Sequence, residues 1–318
     1  MKKALLVLLL FPLLLIGQNS LLDAEKLIES KKYYKAEIIL SNYLKDNASD
    51  TNAIELLGDT YGHQKEWDKA ITYYKQLVET KPTEANSHYK YGGALGMKAL
   101  SINKLKALGI IGDVKEAFLK AAELDANHIK ARWALVELYM QLPAIVGGSK
   151  SKSFKYANEL ENLSKVDGYL AKGYIYEYDN EPELAEDFYK KAIKEKGSLT
   201  CFDKLTNLFV KQEKSIEAIS NIEAAQVKHE RNGLHYQLGK VCADYNVQLE
   251  KGAFCLKVYI DNYSARDGVP KAWAYYRLAQ IYKHKNEKKE ALIWIDKAIA
   301  DLPKIDVFKA FKIEIENL

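Results

Sequence analysis

Between residues 51 and 84, apolar and small side chains recur at fixed offsets: Leu57 and Gly58, Tyr61, Ala70, Tyr74, Leu77 and then Pro82. Steps of three and four residues place each set on one face of a helix, so the pattern predicts two consecutive helices rather than strands. Small Gly58 and Ala70 let the two helices approach, while Tyr61 and Tyr74 fill the space beside them. Pro82 ends the second helix, because it offers no amide hydrogen and clashes with the preceding turn. One such hairpin cannot bury its apolar face alone and needs neighbours stacked upon it.

The same slots recur along the chain. A degenerate first unit, residues 17–50, carries Ala24, Leu27, Ala36, Leu40 and Tyr43, and residues 51–84 form the template, with Trp67 opening its second helix. Residues 85–128 keep Tyr91 and Gly92, but Phe118, Ala121 and Ala126 come ten residues late. The extra segment is expected to lengthen the first helix and to end at Gly109 and Gly112, with Asp113 capping the second. Residues 129–165 carry Leu135, Val136 and Tyr139, then a five-residue expansion in the loop before a second helix expected near Ser153. Residues 166–198 (Gly173, Tyr176, Ala185, Tyr189, Ala192) and 199–231 (Leu205, Phe209, Ala218, Ile222, Ala225) keep the period. Residues 232–269 hold Leu238, Gly239, Cys242 and Ala253, and residues 272–305 hold Leu278, Ala279, Tyr282, Ala291, Ile295, Ala298 and Pro303. Asp306 is expected to cap a final helix, residues 306–318, whose Phe308, Phe311 and Ile315 make it a lid. Every proline after the first nineteen residues falls at an expected helix boundary, and no stretch shows the strict alternation of a strand.

Composition adds class and compartment. With 48% hydrophobic and 28% charged residues the chain is that of a folded protein. Lys and Arg number 47 against 43 Asp and Glu, a net +4; losing Lys2 and Lys3 with the leader would leave +2. So small a charge offers no electrostatic footprint for nucleic acid. Met1-Lys2-Lys3, the apolar run at 4–16 and polar Gln18-Asn19-Ser20 read as a secretory signal over residues 1–17. The run is shorter than the roughly 20 residues a bilayer span needs, and Pro12 interrupts it. Cleavage after Gly17 and retention as an uncleaved anchor both stay open; either puts the rest of the chain outside the cytoplasm, and the mature chain is expected to hold no integral membrane span.

These motifs resemble the tetratricopeptide repeat superfamily over residues 21–303. Residues 143–148 make the chain similar to exported tetratricopeptide proteins of Gram-negative bacteria with a Pro-x-x-x-Gly-Gly loop. Residues 89–139, through the long first helix and the Arg132-Trp133 pair, are similar to the regulator of microtubule dynamics family, whose cellular role an export signal makes inapplicable. The resemblance implies an all-α, right-handed superhelical solenoid of about eight helix-turn-helix repeats plus a capping helix. It implies a concave groove lined by first-helix side chains that binds a protein or peptide: Tyr89, Trp133, Tyr174, Tyr236 and Tyr276, with Trp273 beside them. The alternative for these aromatics is packing between helices. Lysine, arginine and asparagine clamp a partner's C-terminal carboxylate in one subgroup, but Glu55 and Asp59 stand there in the second repeat and would repel one. Those acids either favour a basic peptide or form a solvated helix face.

Other chemistry is sparse. The glycine loop before Lys150 lacks the strand and spacing of a phosphate site, leaving anion binding on free amides or a plain connection. His63, His88, His128, His229, His235 and His284 show no metal-ligand spacing. Cys242 and Cys255, on successive helices, either bridge, with Cys201 left over, or lie buried as small hydrophobes. No nucleophile has a recognisable setting, so neither an enzyme nor a cofactor is expected. Two readings remain: a non-catalytic scaffold exported to the periplasm, or an assembly component of an envelope complex or homo-oligomer that packs through the segments around Leu105 and Ile145.

Overall fold

The computed structural model describes residues 20–318, so the expected signal segment at 1–17 lies outside the described residues. All described elements are helical. They group into two compact units, residues 20–164 and 165–318. In the first unit, residues 20–29 (α1) pair with Tyr33–Asp46 (α2), Thr51–His63 (α3) with Trp67–Thr80 (α4), Ala85–Ser101 (α5) with Lys104–Leu124 (α6), and Ile129–Gln141 (α7) with Lys150–Leu163 (α8). In the second, Lys165–Tyr178 (α9) pairs with Pro182–Glu195 (α10), Leu199–Lys211 (α11) with Ser215–His229 (α12), Asn232–Tyr245 (α13) with Leu249–Asp261 (α14), and Lys271–His284 (α15) with Lys288–Asp301 (α16). Asp306–Glu316 (α17) closes it. Each unit stacks four hairpins, the second closed by a cap, the tetratricopeptide solenoid architecture.

The turns of hairpins one, two, five, six and eight share one construction. Lys31, Lys65, Asn180, Glu213 and Asn286 each adopt a left-handed conformation, φ between 58° and 62°. The amide that follows each reaches back to a carbonyl five residues earlier, as from Glu66 to Tyr61 O at 2.9 Å and from Glu181 to Tyr176 O at 2.9 Å. This closure satisfies carbonyls that a helix end otherwise leaves bare.

Packing within a hairpin depends on a notch. A Cβ added at Gly58 would lie 2.6 Å from Tyr74 Cε1, and one at Gly173 would lie 2.4 Å from Tyr189 Cε1. The second-helix ring thus occupies the space a first-helix side chain would take. Tyr189 is fully buried, and so are the small residues Ala70, Ala185 and Ala192 on the second helices. At the C-terminal end, Phe308, Phe311 and Ile315 of α17 are all buried, forming the expected lid.

Three local expectations are corrected, and of the two readings of the cysteines burial is the one found. The expansion in hairpin three lengthens both helices, and α6 starts at Lys104, where Asn103 Oδ1 accepts from Lys106 N at 2.9 Å. Asp113 is therefore not a cap, and Gly109 and Gly112 lie inside α6 with open space around them. Helix α8 starts at Lys150 rather than near Ser153, because the Ser149 side chain accepts from Lys152 N. Asp306 is the first residue of α17 rather than its cap. Cys201, Cys242 and Cys255 are buried free thiols, and burial pushes Cys242 up to about 12 and Cys255 upward too.

Two outcomes follow for stability and labelling. Gly173→Ala should lower the unfolding free energy by about 1–3 kcal/mol through overpacking against Tyr189. Gly109→Ala, with room for its methyl, should raise it by about 0.5–1 kcal/mol. Chemical denaturation of both variants checks the opposed signs. In the native protein the three thiols should react with a thiol reagent only as fast as the chain opens, since all three are buried. In denaturant without reductant all three should label; a pair that labels only after reduction would restore the bridge. Because burial raises the Cys242 pKa from 9.0, its contribution to stability is complete below that value and is lost as pH climbs towards 12.

Candidate partner-binding surface

The first helix of each hairpin turns one side to its partner helix and another to the next repeat. In the N-terminal unit α3 presents Glu55 and Asp59, and α5 answers with Asn86 and Lys90. Lys90 Nζ lies 2.6 Å from Glu55 Oε1 and 2.7 Å from both Asp59 oxygens, and Asn86 Nδ2 donates to Glu55 at 3.2 Å. Asp59 also accepts from Tyr74 OH at 2.6 Å. Burial opposes the Lys90 charge, yet the two carboxylates outweigh it and its pKa is raised. The acids expected to attract a basic peptide or to stand in solvent are instead occupied by the chain itself.

The C-terminal unit repeats the scheme. Glu177 on α9 accepts from Tyr189 OH at 2.7 Å and pairs with Lys211 on α11. Asp203 on α11 accepts from Gln237 on α13 at 3.3 Å, and Asp244 on α13 pairs with Arg277 on α15. Lys283 on α15 reaches Glu314 on the cap at 2.8 Å. Each link spans 31 to 35 residues, about one repeat. Within each unit polar contacts therefore link successive first helices and engage these acids.

The six aromatics singled out from sequence separate into two kinds. Tyr236 is 8% exposed and packs on Tyr259, ring centroids 5.3 Å apart. Tyr276 is 9% exposed, boxed by Phe308 at 5.3 Å and Phe311 at 5.2 Å, with Trp273 edge-on at 5.9 Å. Trp273 itself meets Phe308 at 4.9 Å. The structure brings these three into one core cluster beneath the cap, with the Arg277 guanidinium 5.3 Å over the Tyr276 ring. Tyr89, Trp133 and Tyr174 are only partly buried, on α5, α7 and α9. Tyr89 lies 5.3 Å from the His128 ring and 6.0 Å from Phe118, and Tyr174 lies 6.0 Å from Tyr178.

Other candidates take structural parts. The Arg132 guanidinium is buried, donating to Glu159 at 3.0 Å and to the carbonyls of Asp125 and His128. In the glycine loop the amides of Val146, Gly147, Gly148 and Ser149 donate to Pro143, Ala144, Pro143 and Tyr139 carbonyls, so an anion would have to displace bonds already made. His128 Nδ1 accepts from Ala131 N and caps α7, His88 reaches Pro82 O, His229 reaches Gly197 O, and His284 reaches Ala243 O. Among the described residues no three His, Cys, Asp or Glu side chains gather where a metal ion could sit. Sequence reading missed an open apolar groove of about 680 Å³ between α10 and α12. Phe202, Leu205 and Phe209 floor it, and Lys194 and Glu217 stand among its lining. Its signal was Ile216, an apolar residue left half exposed on a second helix.

Comparison with known proteins agrees with this geometry. Tetratricopeptide repeat models match residues 53–86, 166–198 and 274–300. A thermophilic tetratricopeptide protein of Thermus thermophilus superposes with TM-score 0.51 at 17% identity, covering 61% of this chain and 99% of that one. A tetratricopeptide repeat protein of Parabacteroides merdae superposes with TM-score 0.50 at 13% identity, covering 94% and 98% respectively. No functionally curated protein matches the sequence. Notched hairpins, polar links about one repeat apart and three matched repeat segments together make this chain a tetratricopeptide-repeat protein, a scaffold that typically serves protein–protein interaction and is generally not catalytic.

Proposed function

We propose that the chain is a non-catalytic scaffold, exported to the periplasm, that holds a protein or peptide partner on the first-helix side of its hairpins. The observation that carries this reading is the partial exposure of Tyr89, Trp133 and Tyr174 on first helices. Around Tyr89 and Tyr174 the neighbouring acids are already paired across repeats, Glu55 and Asp59 with Lys90, and Glu177 with Lys211. A surface with its charges paired selects by apolar and aromatic fit rather than by partner charge. Aromatic side chains supply large contact area at small entropic cost and commonly anchor such interfaces. The partner class is therefore an extended peptide or helix with apolar anchors. Export rests on the leader, Lys2-Lys3 followed by the apolar run at 4–16.

Substitution separates contact from core. Trp133→Ala combined with Tyr174→Ala should keep helical content and lose the partner in crosslinked capture from the native envelope, read by mass spectrometry. Tyr236→Ala should instead lower stability by about 3–5 kcal/mol, as expected for emptying a buried aromatic site. A partner recovered undiminished by the folded double variant overturns the assignment. Deleting residues 1–17 should leave the protein in the cytoplasmic fraction, and continued appearance in the periplasm would refute export by that segment.

A further inference from the structure

The expansion in hairpin three has a physical consequence beyond partner binding by first helices. Helix α5 has 17 residues where α3 and α7 have 13, and α6 has 21 where α4 and α8 have 14. At 1.5 Å per residue these are extensions of about 6 and 10 Å. Both lie at the turn end. Leu95 is the last buried residue of α5 and Val114 the first of α6, and no residue between them is buried. The hairpin therefore projects past the level at which neighbours bury it, with Lys98 still reaching Asp68 on α4.

What projects is aliphatic and basic. Leu100 is 73% exposed and Leu105 84%, with Met97 and Leu108 also exposed. Lys104 and Lys106 are exposed between them, and residues 98–112 contain no Asp or Glu. The expanded loop of hairpin four lies alongside: a Cβ at Gly147 would be 3.9 Å from Lys115 Nζ on α6. Lys115 is ten residues beyond Leu105, about 15 Å along the helix. In that loop Ile145 is 94% exposed, and residues 142–154 add Lys150 and Lys152, again with no acid. The tip itself, residues 98–112, is apolar and carries only basic charge, Lys98 pairing with Asp68 and Lys104 and Lys106 standing exposed, while acids return at Asp113 and Glu116 beside Lys115.

We propose that this edge docks on an anionic lipid surface, the aliphatic tips entering the interfacial layer and the lysines meeting phosphate headgroups. Aliphatic insertion with lysines at headgroup level is the chemistry of peripheral membrane attachment. Attraction to anionic lipid adds a term for each lysine near the surface. No described helix is long and apolar enough to cross a membrane, so attachment stays interfacial. A symmetric contact between two copies would set Lys104 and Lys106 against themselves, and that repulsion disfavours self-association through the tip. The tip also lacks the aromatic and arginine side chains that dominate protein interfaces.

The experiment uses the chain from Gln18 onward, which retains every described helix and lacks the apolar run at 4–16. Flotation with vesicles of phosphatidylglycerol and phosphatidylcholine is compared with pure phosphatidylcholine, at low and high salt. Binding should require phosphatidylglycerol and weaken with salt. Leu100→Ser with Leu105→Ser, and separately Lys104→Glu with Lys106→Glu, should each reduce partitioning about tenfold or more while circular dichroism is unchanged. Phe254→Ser, an exposed apolar residue in the other unit, should have no effect. An environment-sensitive fluorophore on Leu105→Cys should shift to the blue with anionic vesicles, whereas one on Val227→Cys should not. Absence of binding, binding indifferent to both tip variants, or a solution dimer abolished by Leu105→Ser would each overturn the proposal, the last by assigning the edge to a second copy.

Discussion

A tyrosine ring lodged against a glycine fixes how the two helices of a hairpin meet, and the tyrosine hydroxyl then fixes how one hairpin meets the next. Tyr74 fills the notch at Gly58 and its hydroxyl bonds to Asp59, which is bridged to Lys90 of the following repeat. Tyr189 fills the notch at Gly173 and bonds to Glu177, which pairs with Lys211 of the following repeat. A buried hydroxyl left unbonded costs about 1–3 kcal/mol, so the acid is required once the ring is buried. The acid, partly drawn out of water in turn, pairs with a lysine on the next first helix. Packing within a repeat and registry between repeats are thus one connected set of interactions, present in each compact unit.

That connection limits where the chain can vary. Near the notch, small and aromatic positions and the charges beside them are committed. Inserted residues have gone to the turn ends, where hairpins three and four expand without disturbing the stack. On the first helices several acids are engaged by the next repeat, and partly exposed aromatics stand beside them. The lengthened tip is left with Leu100, Leu105, Lys104 and Lys106 exposed. Recognition through the stack and attachment through its edge use different residues and can vary independently.

Much of this was legible in the sequence because it rests on side-chain size. Gly58, Ala70 and Tyr74 announce a hairpin wherever they recur, and Phe308, Phe311 and Ile315 announce a lid by helical spacing. The start of α6 was not legible. Glycines at 109 and 112 followed by Asp113 look like a helix end and a new cap, whereas Asn103 starts the helix earlier and tolerates both glycines inside it. Nor could spacing distinguish Tyr236 and Tyr276 from Trp133 and Tyr174. All four sit on first helices, and burial of the first two comes from α14 and from the cap packing against them, a tertiary effect. The pairing of Glu55 and Asp59 with Lys90 likewise depends on three-dimensional registry across 31 residues or more.

A double-mutant cycle on Tyr74→Phe and Lys90→Met most directly tests whether packing and registry are linked through Asp59. The two side chains lie on different repeats and share that carboxylate, so removing one should change the cost of removing the other. A coupling of about 0.5–1 kcal/mol or more in chemical denaturation is the expected result. Strict additivity, with each substitution costing the same alone and together, would mean that hairpin packing and repeat stacking are independent, contradicting the linkage.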